Sequence, residues 1–62
     1  MPLLRKIEIF LNETHMAWTR FGRLAVRDPR FVQDLRNGRE PGKIVSDRVE
    51  EFMNMWQSDH AG

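Results

Sequence analysis

Apolar residues recur along most of the chain with the spacing of an α-helix. In the first segment they fall at i, i+1, i+4, i+7 and i+8, on one side of a helix that starts at Pro2 and ends near Thr14 and His15. Proline is favoured in the first turn of a helix, and polar residues occupy the other side. The buried stripe of this helix is predicted to be Leu3, Leu4, Ile7, Phe10 and Leu11.

The second predicted helix runs from Trp18 to Val26 and starts without a polar cap, because Ala17 precedes it. Gly22 lies inside this helix, where glycine costs about 1 kcal/mol relative to alanine. A glycine in such a position favours the close approach of another backbone segment. The apolar residues of this region are Met16, Phe21, Leu24, Ala25 and Val26, with the helical spacing carried by Phe21, Leu24 and Ala25.

The third and fourth helices are marked by their ends. Asp28 followed by Pro29 is a helix-start signal, and Asn37 with Gly38 is a left-handed C-terminal signal, so the third helix is predicted at about 29–37. The last helix is predicted from Lys43 to about 57, followed by a frayed polar tail at 58–62. The inner faces are predicted to contain Phe31, Val32 and Leu35 in the third helix, and Ile44, Val45, Val49, Phe52, Met53 and Trp56 in the last.

These patterns predict an all-α fold, a compact domain of four or at most five helices over residues 1–57. A chain of 62 residues supports one small core, and the absence of cysteine excludes a disulfide framework. No apolar run approaches the roughly 20 residues that cross a bilayer, and charges interrupt the N-terminal apolar residues. We therefore expect a cytoplasmic protein without a membrane partner.

The charges are distributed unevenly, although the formal net charge is only +1. Residues 17–39 contain six arginines against two aspartates, a net charge of +4. Residues 40–62 contain two cations against five carboxylates, a net charge of −3. The planar fork of arginine suits phosphate groups and guanine edges better than lysine does. The middle third is therefore a candidate surface for nucleic acid, with plain solvation as the alternative for any single arginine.

Two short helices with a tight connection can form a helix-turn-helix motif, whose second helix enters the major groove of DNA. Gly22 can serve as the small contact between the helices. The other residues of the pair are apolar ones that can lock it (Phe21, Ala25, Val32 and Leu35), polar ones that can project outward (Arg30, Gln33 and Asp34) and flanking arginines that can meet phosphates (Arg27, Arg36 and Arg39).

At these positions the sequence resembles the lambda-repressor-like, or XRE, helix-turn-helix regulators, in particular very short single-domain bacterial ones. That family's pattern has an apolar residue, a small residue directly after it, a cap seven positions on, and β-branched, aliphatic and glycine residues at eleven, fourteen and seventeen. Counted from Phe21 without a gap, every position matches, and the resemblance covers residues 3–56. The matching residues are Gly22, Asp28, Val32, Leu35 and Gly38.

The chain also departs from the family pattern in four places. Val26 and Arg27 stand between the two helices, where the family usually has glycine. At the start of the motif, Ala17 and Trp18 stand where serine and glutamine are frequent, and His15 replaces a glycine. The phosphate contact that the family makes at this point would therefore have to come from Trp18 or from Thr19.

The resemblance implies which residues would meet DNA. Pro29, Arg30, Gln33 and Asp34 would face the major groove, with Arg30 bonding guanine O6 and N7 and Gln33 bonding adenine. Asp34 would accept from a cytosine amino group or orient Arg30 or Arg27. Asn37 and Arg39 match positions where the family contacts phosphate. The phosphate contacts expected altogether are Trp18, Thr19, Arg20, Arg27, Arg36, Asn37 and Arg39.

Two interpretations of the function follow. The first is a sequence-specific regulator of transcription that binds double-stranded DNA as a homodimer on a palindromic site, associated with the nucleoid. Met53, Met55 and Trp56 are the candidate dimer contact, with core packing as the alternative for Met53 and Trp56. The second is a protein-interaction module, an antirepressor or adaptor, whose arginines bind an acidic protein partner on the same helical scaffold.

Catalytic and metal chemistry find little support in the sequence. His15 and His60 are the two histidines, 45 residues apart and without cysteine partners, so no metal site is expected. No serine or cysteine triad and no glycine-rich phosphate loop can be assembled. A chain of this length is also expected to lack room for a pocket of about 300 Å³ beside its core. We therefore expect no enzyme activity, no cofactor and no small-molecule ligand.

Overall fold

The computed structural model describes residues 2–60, without the side chain of His60. Across that range the chain forms helices and no strand, with a radius of gyration of 10.9 Å. The all-α fold with four helices is confirmed. The helices are α1 (Leu3–Thr14), α2 (Trp18–Val26), α3 (Phe31–Arg36) and α4 (Lys43–His60).

The first two helices begin and end close to their predicted positions. α1 ends at His15, which is exposed and adopts a left-handed conformation with φ 56°, so that its N–H donates to the carbonyl of Leu11. α2 begins after Ala17 without a side-chain cap. It ends at Arg27, which is also left-handed, with φ 59°. Arg27 thus adopts a conformation that glycine takes at much lower cost.

Gly22 allows α2 to touch the connection to α3. A β-carbon at this position would lie 2.1 Å from the carbonyl oxygen of Asp28, well inside van der Waals contact. The amide of Asp28 donates in turn to the carbonyl of Gly22 at 3.1 Å. The close backbone approach predicted at this glycine is confirmed, and it requires the Gly22 side of α2 to face α3.

The third helix is shorter than predicted, because Pro29 and Arg30 form a turn before it. The carboxylate of Asp28 accepts from the amide of Arg30 at 2.9 Å, and its carbonyl accepts from the amide of Phe31 at 3.1 Å. These bonds close a tight turn, so Asp28 caps the turn and Pro29 is not the first helical residue. The first helical hydrogen bond links Asp34 N–H to the Arg30 carbonyl at 2.8 Å.

The end of α3 is a Schellman motif. Gly38 has φ 101°, its N–H donates to the carbonyl of Leu35 at 3.1 Å, and the N–H of Arg39 donates to the carbonyl of Asp34 at 2.9 Å. The predicted C-terminal signal is confirmed, with Gly38 as the residue of positive φ. The motif turns the chain back beside α3, which brings Arg39 next to the acidic residues of that region.

The last helix extends three residues past its predicted end, through His60. Ser58 and Asp59 are therefore helical, and the remaining residues of the predicted tail, 61 and 62, lie outside the described part. No helix in that part combines the length and apolar character required to cross a membrane.

The core joins all four helices. The rings of Phe10, Phe21 and Phe52 meet edge to face, with centroids 5.5–6.1 Å apart. α2 packs against α3 and α4, and α1 packs against α3. The buried core consists of Ile7, Phe10, Met16, Phe21, Ala25, Phe31, Val32, Leu35, Val49 and Met53; Leu3, Leu4, Leu11, Trp18, Val26, Val45, Phe52 and Trp56 pack against it.

Two residues predicted on inner faces are exposed instead. Leu24 is 48% exposed, because the Gly22 contact rotates α2 until Leu24 lies at the edge of the buried stripe. Ile44 is 82% exposed, because it lies about 140° around α4 from the fully buried Val49. The predicted apolar faces are otherwise confirmed.

Candidate nucleic-acid interface

One side of α3 carries the residues predicted to read bases. Arg30, Gln33, Asp34 and Asn37 are spaced i, i+3, i+4 and i+7, so they share one face of the helix. Arg30, Gln33 and Asn37 are exposed and Asp34 is half-buried, whereas the three apolar residues of α3 lie in the core. Pro29, in the preceding turn, is exposed as well. The structure therefore places Arg30, Gln33 and Asp34, three of the four predicted base readers, on one side of α3, and the fourth, Pro29, in the exposed turn before it.

Both backbone groups of Arg30 are hydrogen-bonded, while its side chain makes no ion pair among the described residues. Its N–H donates to the Asp28 carboxylate and its carbonyl accepts from Asp34. Within the described residues, no carboxylate lies in ion-pair distance of its guanidinium. A fixed backbone with an unpaired, exposed guanidinium suits a group that has to reach an acceptor outside the protein.

Arg39 is shared between two carboxylates. Its Nη1 lies 3.0 Å from Asp34 Oδ2 and 3.7 Å from Asp28 Oδ2. All three side chains are more than a third exposed, so these pairs contribute little to stability. They do bring a positive charge beside the two carboxylates of this region. Of the roles considered for Asp34, orientation of an arginine fits this contact, although the partner is Arg39 instead of Arg30 or Arg27.

The sequence alone did not indicate this contact. Asp34 and Arg39 are five residues apart, which is not a spacing that pairs side chains along a helix. The contact exists because the motif at Gly38 reverses the chain. The signal at Asn37 and Gly38 could have revealed it, if a Schellman geometry had been assumed for those residues.

The outer side of α2 carries three arginines. Arg20, Arg23 and Arg27 are all exposed and lie within about 60° of one another around the helix axis. In the described part of the chain, no carboxylate pairs with any of them. Arg23, which is not among the predicted phosphate contacts, lies beside Arg20 and Arg27, which are.

The remaining predicted phosphate contacts differ in burial and pairing. Trp18 and Thr19 are half-buried in the first turn of α2, where no side chain caps the amides. Such uncapped amides can donate to an anion. Arg36 Nε lies 3.5 Å from Glu8 Oε2 of α1, so this arginine already has a partner within the protein. Asn37 is exposed beside it.

One charged pair lies at the start of α4. Lys43 Nζ donates to the Asp47 carboxylate at 2.9 Å. That hydrogen bond, together with the charge of the carboxylate, raises the pKa of Lys43 above its ordinary value. Lys43 and Asp47, in the first turns of α4, thus pair with each other, in contrast to the unpaired arginines Arg20, Arg23 and Arg27.

The candidate dimer residues differ in accessibility. Met53 belongs to the core and is 8% exposed, and Trp56 is half-buried against the rings of Phe10 and Phe52. Met55 is 58% exposed. The core interpretation of Met53 is confirmed, and Met55 is the member of this group with a largely accessible side chain.

A groove of about 480 Å³ lies between α1 and α4. The expectation that the chain lacks room for such a space is therefore wrong. The groove is open, has Ile9, Phe10 and Met53 among its walls, and is crossed by an ion pair between Lys6 and Glu50 at 2.6 Å. Phe10, which lines the groove, also contacts the rings of Phe52 and Trp56 of α4. No group of three metal-ligating side chains occurs in the part of the chain that the structure describes.

Comparison with protein-family models, with curated protein sequences and with solved structures gives no match to this chain. Its function is therefore inferred from its own residues and geometry.

Proposed function

We propose that the chain is a transcription regulator that binds double-stranded DNA in a sequence-specific manner, with α2 and α3 as a lambda-repressor-like helix-turn-helix. In this proposal α3 and the turn before it lie in the major groove. The observation that carries the proposal is the division of α3 and its two flanking residues into a buried apolar face and a polar face, formed by Arg30, Gln33, Asp34 and Asn37. That division suits a recognition helix, which packs on the domain with its apolar face and contacts base edges with its polar face.

The geometry suggests distinct roles for the two groups of arginines. Arg30 extends from the turn at the start of α3, where a side chain reaches base edges most easily, and its fork matches guanine O6 and N7. Arg20, Arg23 and Arg27 form an unpaired stripe on the neighbouring helix and suit contacts to the phosphate backbone. Gln33, one turn further along α3, suits an adenine edge.

The Asp28–Arg39–Asp34 cluster supports this arrangement in a second way. Asp28 fixes the amide of Arg30, and Arg39 offsets the charge of both carboxylates. An uncompensated pair of carboxylates on the reading face would repel the phosphates of both strands. With Arg39 in place, the reading face can approach DNA while Asp34 remains available as an acceptor.

The proposal is tested by selecting bound fragments from genomic DNA and mapping the contacted bases by footprinting. We expect a saturable complex with a palindromic site. Affinity measured against salt concentration should fall with a log–log slope of about −5 to −7, the value for six to eight phosphate contacts. A flat salt response without enrichment of any sequence would contradict the proposal and favour the interaction module, in which the same arginines bind an acidic protein.

A further inference from the structure

The fourth helix has one face whose side chains are exposed. Ile44 and Met55 are 82% and 58% exposed, and Arg48 and Glu51 between them are exposed too. The four residues follow one another at steps of four, three and four, and an α-helix of 3.6 residues per turn places them within about 60° around its axis. We refer to Ile44, Arg48, Glu51 and Met55 as the outer face of α4.

The two charges of this face are unpaired in the part of the chain that the structure describes. Within residues 2–60, neither Arg48 nor Glu51 makes an ion pair, although the adjacent acidic residues Asp47 and Glu50 are paired with Lys43 and Lys6. The half-buried side chains of Val45 and Phe52 lie between this face and the core. The outer face is therefore an apolar and charged surface at the edge of the core, with two exposed charges of opposite sign.

The order of the four residues is self-complementary. A two-fold axis that crosses α4 between Val49 and Glu50 relates position 44 to position 55 and position 48 to position 51. Two antiparallel copies of α4 would therefore place Ile44 against Met55 of the partner subunit, and Arg48 against the partner's Glu51. Steps of four and three are also those of the seam between helices of a left-handed coiled coil. A parallel arrangement would set like charges against each other.

We propose that the outer face of α4 docks a second copy of this chain, with the two α4 helices antiparallel about that two-fold axis. A two-fold interface uses the same surface on both subunits, so each unlike pair occurs twice. The seam holds four side chains from each subunit and is smaller than a standard interface of about 1,600 Å². The dimer is accordingly weak in free solution and depends on concentration.

This inference deepens the proposed function, because a dimer would bring two reading helices to a palindromic site, and DNA would raise the effective concentration of one subunit near the other. The pairing itself needs no DNA. It can therefore be tested in solution without DNA, so that its failure and the failure of the proposed function are distinguishable.

The test is sedimentation equilibrium of the full chain from about 10 µM to 1 mM, with Arg48→Glu, Glu51→Arg and the double exchange. Each single variant replaces two attractive contacts of the dimer by repulsive ones, and we expect its Kd to rise about tenfold. The double exchange restores both contacts with their signs reversed, and should return the Kd to within about twofold of the original. A mixture of the two single variants should form a heterodimer.

The matched control is Arg5→Glu, which reverses an exposed arginine of α1 that has no ion pair in the described range. It should leave the Kd within about twofold. Circular dichroism of every variant checks that the helices are intact. A chain that remains monomeric up to 1 mM, or a dimer whose Kd the double exchange does not restore, would overturn the proposal.

Discussion

The α2–α3 region and α4 reach their positions by different physical means. α3 has six residues, too few to be stable alone. Its three apolar side chains lie in the core, and backbone hydrogen bonds at both ends and the contact at Gly22 add to this anchoring. α4 has 18 residues, and its apolar side chains hold it against the core. The first region thus depends on a few residues with special backbone roles in addition to its buried side chains, and the second on a periodic face alone. Substitutions at the special residues should therefore have the larger effects.

The largest effect is expected for Gly22→Ala. The new β-carbon would lie 2.1 Å from the carbonyl oxygen of Asp28, a backbone atom that cannot rotate away. α2 and the following turn must separate, and we expect a loss of about 3 kcal/mol in the free energy of unfolding, despite the better helix propensity of alanine. Urea denaturation followed by circular dichroism measures this loss.

Gly42→Ala is the matched control for that substitution, because a β-carbon there meets nothing within 4 Å. Gly42 precedes α4, so the pair also compares the two regions directly. We expect Gly42→Ala to change the free energy of unfolding by less than about 0.5 kcal/mol. Equal effects of the two substitutions would show that the contact between α2 and the Asp28 carbonyl does not position α3.

The same distinction explains what the sequence predicts well. The close approach at Gly22 and the positive φ at Gly38 follow from single residues with strong backbone preferences. The bounds of α2 follow from the spacing of its apolar residues. The buried side of α4 follows from its periodicity, and the exposure of Ile44 follows from it too, because a strict helical step places Ile44 about 140° around the axis from Val49.

The candidate site was harder to predict. The positions of Arg30, Gln33 and Asp34 on one face follow from helical spacing, because that spacing holds from the turn into α3. The contact between Arg39 and two carboxylates depends on how the chain turns after α3, and the late start of α3 depends on a competition between two hydrogen-bonding patterns around Asp28. Neither appears in the spacing of residue types.

An intermediate effect is expected for Arg30→Ala, measured on DNA binding. Removal of the guanidinium should relax specificity at one base position by about 2 kcal/mol, roughly a thirtyfold loss of discrimination, without altering the fold. Arg39→Ala should instead weaken all sequences by a similar factor, since it removes a cation and leaves Asp28 and Asp34 uncompensated. Binding assays on a set of single-base variants of the selected site separate the two patterns. If Arg30→Ala weakened every sequence equally, Arg30 would be a phosphate contact.

The smallest effect is expected for Arg27→Gly, and it is the one substitution here that should raise the free energy of unfolding. Arg27 ends α2 with φ 59°, where the β-carbon costs about 1 kcal/mol, and glycine would remove that strain. Part of the gain is offset because glycine makes the unfolded chain more flexible, so we expect an increase of about 0.5–1 kcal/mol in the free energy of unfolding.

Arg23→Gly is the matched control: it removes the same side chain one turn earlier, inside the helix, and should lower the free energy of unfolding by about 1 kcal/mol. Thermal and urea denaturation of both variants give the two signs. A loss of stability in both would mean that Arg27 stabilises the fold through its side chain, and that the turn between α2 and α3 does not carry the strain its φ angle indicates.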